Sequence, residues 1–378
     1  MNRPREARPR LIIYSEVAWG FLDQRHHHLA RFFAKEGFSV EFVERVVNRV
    51  PPPRELGAGL WARLKERIGL GQAPTPSKAV PEAIQLRRSR FLPQAYRLCR
   101  PLNYLYWVLF ERRRQRGAVL YSFVDNPVLF GGALARLRTD KLAIFDIIHN
   151  WWAFPWHRQY HHHAVAQMLA LADKVVIDSL ALRERHLPLL ASAHLMLPGV
   201  SEAWTHGEGA ELPLPDASPR AAFFGNLRSN SDLPFVEAVA EAIGLDLFGL
   251  LAGDAAAHVP SVRCLGQVAA EALPERLAPY NVLVLPYNRD AFSATIAPAK
   301  YFEALATGAL IITRAPLAHL PGFDRFCLLV DDQQGDELAE LLRRRLAAHL
   351  PNIAAQREFA RQHSWSARFS ALREFAGV

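Results

Sequence analysis

Cysteine and methionine are scarce in this 378-residue chain, with three of each. Cys99, Cys264 and Cys327 lie far apart and form no CxxC pair, which argues against a disulfide framework or a thiolate metal site. They read as reduced thiols of a cytoplasmic protein. Long apolar runs are also missing. The longest candidate, "PLNYLYWVLF" at 101–110, falls well short of the roughly 18–20 residues that span a bilayer. The basic start "MNRPREARPRLIIYSEV" has too short an apolar stretch for a signal peptide. Several nucleotide and nucleophile signatures are absent too. There is no GxGxxG, no GxxxxGK[ST] and no GxSxG, so dinucleotide, P-loop and serine-hydrolase readings lose ground. No Asp-x-Asp occurs, which removes the usual carboxylate pair for a metal-chelated nucleotide diphosphate.

What is present is uneven. Residues 1–200 carry 30 Lys+Arg against 16 Asp+Glu, and residues 201–378 carry 15 against 21, so the net +8 is +14 in the first half and −6 in the second. A basic half meets phosphate on lipid, nucleic acid or an anionic substrate, or is a solvated arginine-rich surface. Each half alternates short apolar runs with amphipathic segments. "RLIIYS" (10–15), "FSVEFV" (38–43), "AVLYSF" (118–123), "LAIFDII" (142–148), "KVVID" (174–178) and "HLMLP" (194–198) read as strands. So do "AAFFG" (221–225), "LDLFGLL" (245–251), "VRCLG" (262–266), "NVLVLP" (281–286), "ALIIT" (309–313) and "FCLLV" (326–330). Helical patterns lie between most of them. This grammar predicts an α/β chain with one parallel sheet per half, joined near 200–219, which is rich in Gly, Pro and acid. Residues 48–82 read as an insertion with a helix at 60–67.

Parallel sheets bind ligands at the carboxyl ends of their strands. Two such places in the second half stand out. In "AAFFGNLRSNSDLPFVEAVAEA" (221–242), Gly225 lets backbone approach a ligand and Arg228 offers a forked cation to phosphate; an ordinary βα loop is the other reading. In "LPYNRDAFSATIAPAKYFEALATG", Pro298 opens a helix and Gly308 closes it. Lys300 in the first turn is unfavourable beside the helix dipole unless an anion sits nearby. Glu303, one turn on, is placed to accept from sugar or ribose hydroxyls. Taken alone, Lys300 and Glu303 are also readable as an exposed ion pair.

In chain order, "ADKVVIDS" (172–179), "LPGV" (197–200), the G-x-L turn at 225–227, "CLGQVAAEALPERLAPYNVLVLPYN" (264–288) and "PAKYFEALATGALII" (298–312) resemble the landmarks of GT-B glycosyltransferases. The similarity is to bacterial family-4-like enzymes of the teichuronic-acid type, and more distantly to xanthan glucuronosyltransferase. "SEVAWGFLDQRHHHLARFFAKEGFSVEFVE" near the start and "HSWSARFSAL" (363–372) near the end extend it over nearly the whole chain. The P-x-K-x-x-E-x-x-A-x-G element is its most specific part. The resemblance implies two Rossmann-like, doubly wound domains facing across a cleft. Residues 1–200 would bind acceptor and 201–363 the nucleotide-sugar donor, with a helix over 364–378 packing back on the first domain. It further implies metal-independent transfer of a hexosyl or glycuronosyl group to a glycan or lipid-linked acceptor, in bacterial surface polysaccharide synthesis. Donor contacts would come from Gly225, Asn226, Arg228, Tyr287, Asn288, Thr295, Pro298, Lys300 and Glu303. Thr295 stands where many retaining members carry the first glutamate of an E-x7-E pattern. No cofactor or metal is called for, because Lys300, Arg228 and the helix dipole would stabilise the leaving diphosphate. A nucleotide-sugar 2-epimerase of the same fold and a catalytically silent binder of sugar nucleotide or membrane are the alternatives.

In the first half, "AIFDIIHNWWAFPWHRQYHHHA" (143–164) puts Asp146 and His149 at a strand's carboxyl end. By resemblance this loop faces the anomeric carbon, where either residue could take the acceptor's proton or hold the donor sugar, with Glu16 the next candidate base; a structural strand-end pair is the other reading. Arg25 is a candidate contact for an anionic acceptor, and Trp151, Trp152, Phe154 and Trp156 suit a sugar or lipid platform or core packing. The "HHH" runs at 26–28 and 161–163 are poor metal sites, since adjacent helical residues point about 100° apart. Residues 87–116 mix arginines with aromatics and hold one acid, Glu111. This suits an anionic inner-leaflet surface with aromatics at headgroup level, placing a cytoplasmic protein peripherally on the membrane; a buried helix with a charged outer face is the other reading. A nucleic-acid partner is disfavoured by the acidic second half.

Overall fold

A computed structural model describes residues 8–20, 23–47, 79–148, 150–153, 158–205, 218–228 and 231–378. The helix expected at 60–67, the centre of the expected junction at 206–217, and His149, Phe154 and Trp156 lie outside them. The chain divides into two units, Met1–Val176 and Ile177–Val378.

One sheet has the order β3-β2-β1-β4-β5-β6-β7. Its strands are β1 (Arg10–Tyr14), β2 (Ser39–Glu44), β3 (Ile84–Arg88), β4 (Val119–Ser122), β5 (Leu142–Ile147), β6 (Lys174–Ile177) and β7 (His194–Leu195). From β3 to β5 every pairing is parallel, with Leu11 registered between Val40 and Val119. β3 was not expected. Its sequence IQLRR is mostly exposed, so it carries no apolar run for a reader to find. In the opposite direction, "HLMLP" shortens to a two-residue strand.

The second sheet runs β10-β9-β8-β11-β12-β13, parallel throughout. Its strands are β8 (Ala221–Phe224), β9 (Leu245–Phe248), β10 (Val262–Cys264), β11 (Val282–Leu285), β12 (Leu310–Thr313) and β13 (Cys327–Leu329). Successive side chains serve opposite faces. Leu283, Leu285 and Ile311 pack with Tyr301, Phe302 and Leu305 of helix Ala299–Thr307. Val282, Val284 and Ile312 pack with Phe235, Val236 and Val239 of helix Leu233–Ile243. Both faces are covered, which is why these strands read as unbroken apolar runs rather than alternating ones.

Both sheets are doubly wound. Strand order reverses between β1 and β4 in the first and between β8 and β11 in the second, and the carboxyl ends beside such a switch point form the crevice where ligands settle. The last helix, Trp365–Ala376, begins by pairing with Val200: Val200 N–H donates to His363 O (2.9 Å) and Trp365 N–H to Val200 O (3.0 Å). Its Phe375 stacks on His194 of β7 with ring centroids 4.6 Å apart.

The aromatics of 87–116 divide, with Tyr96 and Phe110 exposed and others turned inward. Trp107 and Phe91 are buried and Tyr106 is half-buried, edge-on to Phe91. They face the protein because Trp107 Nε1–H finds an acceptor there, Gln115 Oε1 at 3.0 Å. The outward apolar residues of the helical run are Leu98, Leu102, Leu105, Leu109 and Phe110.

Candidate active site

In the second unit the site is built from three chain segments beside the β8/β11 switch. The turn after β8 continues the ladder with β9 past the strand ends. Gly225 N–H donates to Phe248 O (2.9 Å), Leu227 N–H to Leu250 O (3.0 Å) and Leu250 N–H to Asn226 Oδ1 (3.1 Å). Asn226 therefore fastens one βα turn to the next. Gly225 has φ +122°, a conformation that side chains rarely adopt, and a Cβ there would lie 2.5 Å from Lys300 Cε and 3.2 Å from Nζ. The lysine lies across the glycine. A Cβ on Gly249, after β9, would fall 1.9 Å from Gly225 O, so this second glycine holds the platform on which the first sits. Gly249 was missed in the sequence, although a glycine directly after the strand neighbouring β8 was the signal available.

Pro298 caps helix Ala299–Thr307 with extended backbone, one position before the expected helix start, and Gly308 closes the helix in the left-handed region at φ +81°. Lys300 stands at its second residue. Among the described residues its ammonium has no hydrogen-bond or ion-pair partner, and the Glu303 carboxylate has none either. They are not the exposed ion pair that was one reading of the sequence. Both are half-buried. Burial raises the Glu303 pKa above its ordinary value, with Lys300 nearby opposing the rise. Tyr287, which pairs through its backbone with Ser231, is raised by burial and by the neighbouring Glu303 charge. Asn288 follows, half-buried, and Arg228 is exposed on the far side of the β8 turn. Thr295 is buried, and its hydroxyl donates back to Phe292 O at 2.8 Å. It closes the 3-10 turn Ser293–Thr295 instead of pointing a polar group outward.

The strand ends of the first sheet differ. Asp146, at the end of β5, is fully buried. Arg25 reaches both of its oxygens at 2.9 Å, and Tyr121 O–H donates to Oδ2 at 2.6 Å. Burial raises the Asp146 pKa while Arg25 and Tyr121 pull it down. Asp146 is sealed from solvent and engaged by two donors, so its carboxylate is held in place and orients Arg25. Arg25 in turn is its buried counter-ion. Trp151 is buried and stacked on His161 (5.1 Å, 21°), as the core-packing reading expects. Glu16 is half-buried just beyond β1. The histidine runs diverge as helical geometry requires. His26 Nδ1 meets Ser15 Oγ at 2.7 Å, His27 Nε2 meets Ala18 O at 3.2 Å, and His161 Nδ1 meets Asp125 Oδ2 at 2.6 Å.

No protein-family model and no curated protein matches this sequence. Solved structures do match along its whole length. Anabaena HepE in complex with UDP and glucose aligns with TM-score 0.63 and 12% identity, over 97% of this chain and 99% of that one. The lipopolysaccharide outer core galactosyltransferase WaaB aligns with TM-score 0.61 and 12% identity, over 98% of this chain and 100% of that one. WaaG, a glycosyltransferase involved in lipopolysaccharide biosynthesis, gives 0.60 and 14%, over 98% and 100%.

The fold is GT-B. At these identities the likeness concerns the fold alone, and the chemistry of this GT-B chain has to be argued from its own residues. Those residues offer a glycine-floored turn, a lysine laid across it at a helix start, and a carboxylate one turn further on. Such a set can hold a diphosphate and a hydroxylated ring.

Proposed function

We propose that this chain is a glycosyltransferase that moves a hexosyl or glycuronosyl group from a nucleotide-sugar donor to a glycan or lipid-linked glycan in bacterial surface polysaccharide synthesis. The observation that carries the reading is Lys300, a cation at a helix N-terminus that lies over Gly225 and has no hydrogen-bond or ion-pair partner among the described residues. A lysine there opposes the helix dipole, and an anion relieves that opposition. HepE was crystallised with UDP and with UDP-glucose, and WaaB and WaaG belong to lipopolysaccharide assembly, which makes a nucleoside diphosphate the natural anion to test. The finer similarity to teichuronic-acid-type enzymes rests on the P-x-K-x-x-E-x-x-A-x-G element.

In the reaction, the bond between the anomeric carbon and the diphosphate oxygen breaks, the acceptor oxygen bonds to that carbon, and the acceptor's proton leaves. Negative charge grows on the departing diphosphate. Lys300 and the free N–H groups of helix Ala299–Thr307 would stabilise it, joined by Arg228. Positive charge supplied by the chain itself is our reason for proposing metal-independent transfer. Glu303 would accept from donor hydroxyls, and Asp146 and His149 are the two candidates to take the acceptor's proton.

The test is product formation from radiolabelled nucleotide sugars on glycan and lipid-linked acceptors, with and without EDTA. Labelled glycan formed in both conditions supports the reading. Free epimerised nucleotide sugar without glycan means the 2-epimerase, no turnover despite donor binding means a silent binder, and Mg²⁺-reversible loss overturns metal independence.

A further inference from the structure

Residues 98–116 form an inside-out helix. The run comprises helix Cys99–Tyr106, a π-helical turn Trp107–Glu111 and helix Arg112–Gln115. Its buried positions are Asn103, Trp107, Glu111 and Gln115, every fourth residue. In an α-helix each step of four overshoots one revolution by about 40°, so three steps would swing Gln115 about 120° off the buried side. The π turn takes more residues per revolution and removes that drift. The inner face is then held by polar bonds. Asn103 exchanges two with Leu92 (2.8 and 2.9 Å) and donates to Gln94 Oε1 at 2.7 Å. Glu111 accepts from Tyr14 O–H at 2.9 Å and from Arg87, and Gln115 donates to Tyr14 Oη (2.7 Å) and Leu129 O (2.8 Å).

The outer face is apolar. Leu98 is 89% exposed, Leu102 and Leu105 56%, Leu109 48% and Phe110 54%. An ordinary surface helix has the opposite polarity, with apolar residues in and polar residues out. From Leu98 to Phe110 the strip is about 18 Å long, too short to cross a bilayer but long enough to lie along one. Its surroundings identify the occupant. Arg97 flanks one end, and Arg113, Arg114 and Arg116, all exposed, flank the other. Glu111, buried, is the only acid between Glu82 and Asp125. An isologous contact with a second copy would bring two arginine sets together, whereas an anionic bilayer offers hydrocarbon to the leucines and phosphate to the arginines.

We infer that Leu98, Leu102, Leu105, Leu109 and Phe110 insert into the interface of an anionic lipid bilayer, with Arg97, Arg113, Arg114 and Arg116 on its headgroups. This deepens the proposed function by naming a lipid partner, but it does not depend on sugar transfer. The firmly bonded inner face means that the first unit docks with this helix in place rather than by releasing it.

The experiment is co-sedimentation of the full chain with phosphatidylcholine vesicles and with phosphatidylcholine–phosphatidylglycerol vesicles, at low and high salt. Wild type should partition to the anionic vesicles and only weakly to the neutral ones. Leu102→Asp/Leu105→Asp should lower partition at least tenfold on anionic lipid. Arg113→Gln/Arg114→Gln/Arg116→Gln should lower it on the order of a hundredfold at low salt, about fivefold per basic residue, and flatten the salt response. All substituted positions are exposed, so thermal unfolding and nucleoside diphosphate binding should match wild type and separate this result from failure of the transferase reading. Equal partition of wild type and the leucine variant would overturn the inference. So would sedimentation velocity showing a wild-type dimer that the leucine variant dissolves, since a second copy would then cover the strip.

Discussion

Asp146 and Lys300 both stand beside the carboxyl end of a parallel strand, in surroundings that are opposite in kind. Asp146 has Arg25 at 2.9 Å and Tyr121 at 2.6 Å and no exposed surface. Lys300 has a glycine beneath it, a carboxylate one turn away with which it makes no ion pair, and no hydrogen-bond partner among the described residues. In the first unit the charges complete one another, which makes a scaffold. In the second they are held near each other without a hydrogen bond or ion pair among the described residues, the arrangement on which the proposed donor site rests. The chemical type of a residue and its place at a strand end do not separate these cases; the partners do.

The contrast can be broken most sharply on the scaffold side. Arg25→Ala leaves the buried Asp146 carboxylate without its counter-ion and should destabilise the first unit by about 3–5 kcal/mol. Denaturant unfolding measures this, and a loss under 1 kcal/mol would mean that the pair is not structural. Next in size is Gly249→Ala. Its Cβ has no room beside Gly225 O, and overpacking of this kind costs about 1–3 kcal/mol. We expect donor affinity to fall with it, because the platform under Lys300 shifts. Gly225→Ala should mimic loss of the lysine, so the double variant with Lys300→Ala should be little worse than either single one in calorimetric titrations. Full additivity would show that the glycine does not position the lysine.

The smallest expected effect is a pH dependence. Burial raises the Glu303 pKa, so on acidification it takes up its proton before an ordinary glutamate does. Its capacity to accept from hydroxyls is weakened at that point, because one oxygen becomes a donor and the charge is gone, and donor affinity should begin to fall above the usual carboxylate range. The sign for stability is the reverse. With a folded pKa above the unfolded value, ionised Glu303 costs stability at neutral pH, and the cost disappears as pH falls. Glu303→Gln should therefore flatten the affinity profile while slightly raising stability at neutral pH. Titration of both proteins across the acid range reads both effects.

Fold and site were legible in the sequence to different depths. The second sheet could be read strand by strand because VLVL and LIIT are buried on both faces and carry no polar interruption. β3 could not, because an edge strand of sequence IQLRR needs no apolar face. Lys300, Glu303 and Gly225 could each be singled out by local rules of helix ends and turns. Their meeting could not, since 75 positions separate the glycine from the lysine. For the same reason the Asp146–Arg25 pair could not be read: Arg25 lies 121 residues away, and nothing local announces the pair. The basic, aromatic stretch 87–116 was legible in composition but not in orientation. Composition pointed to a lipid-facing surface, but a π turn decides which side chains face out, and no spacing rule for α-helices anticipates it.

The central claim is that Lys300 binds the diphosphate of a nucleotide-sugar donor. Calorimetric titration of wild type and Lys300→Ala with UDP and with uridine tests it most directly. A charge-assisted contact of this kind is worth roughly 1.5–3 kcal/mol. Lys300→Ala should therefore weaken UDP binding by about 10- to 150-fold, leave uridine binding unchanged and unfold at the same temperature. Equal UDP affinity in the two proteins, or equal losses for UDP and uridine, would contradict it.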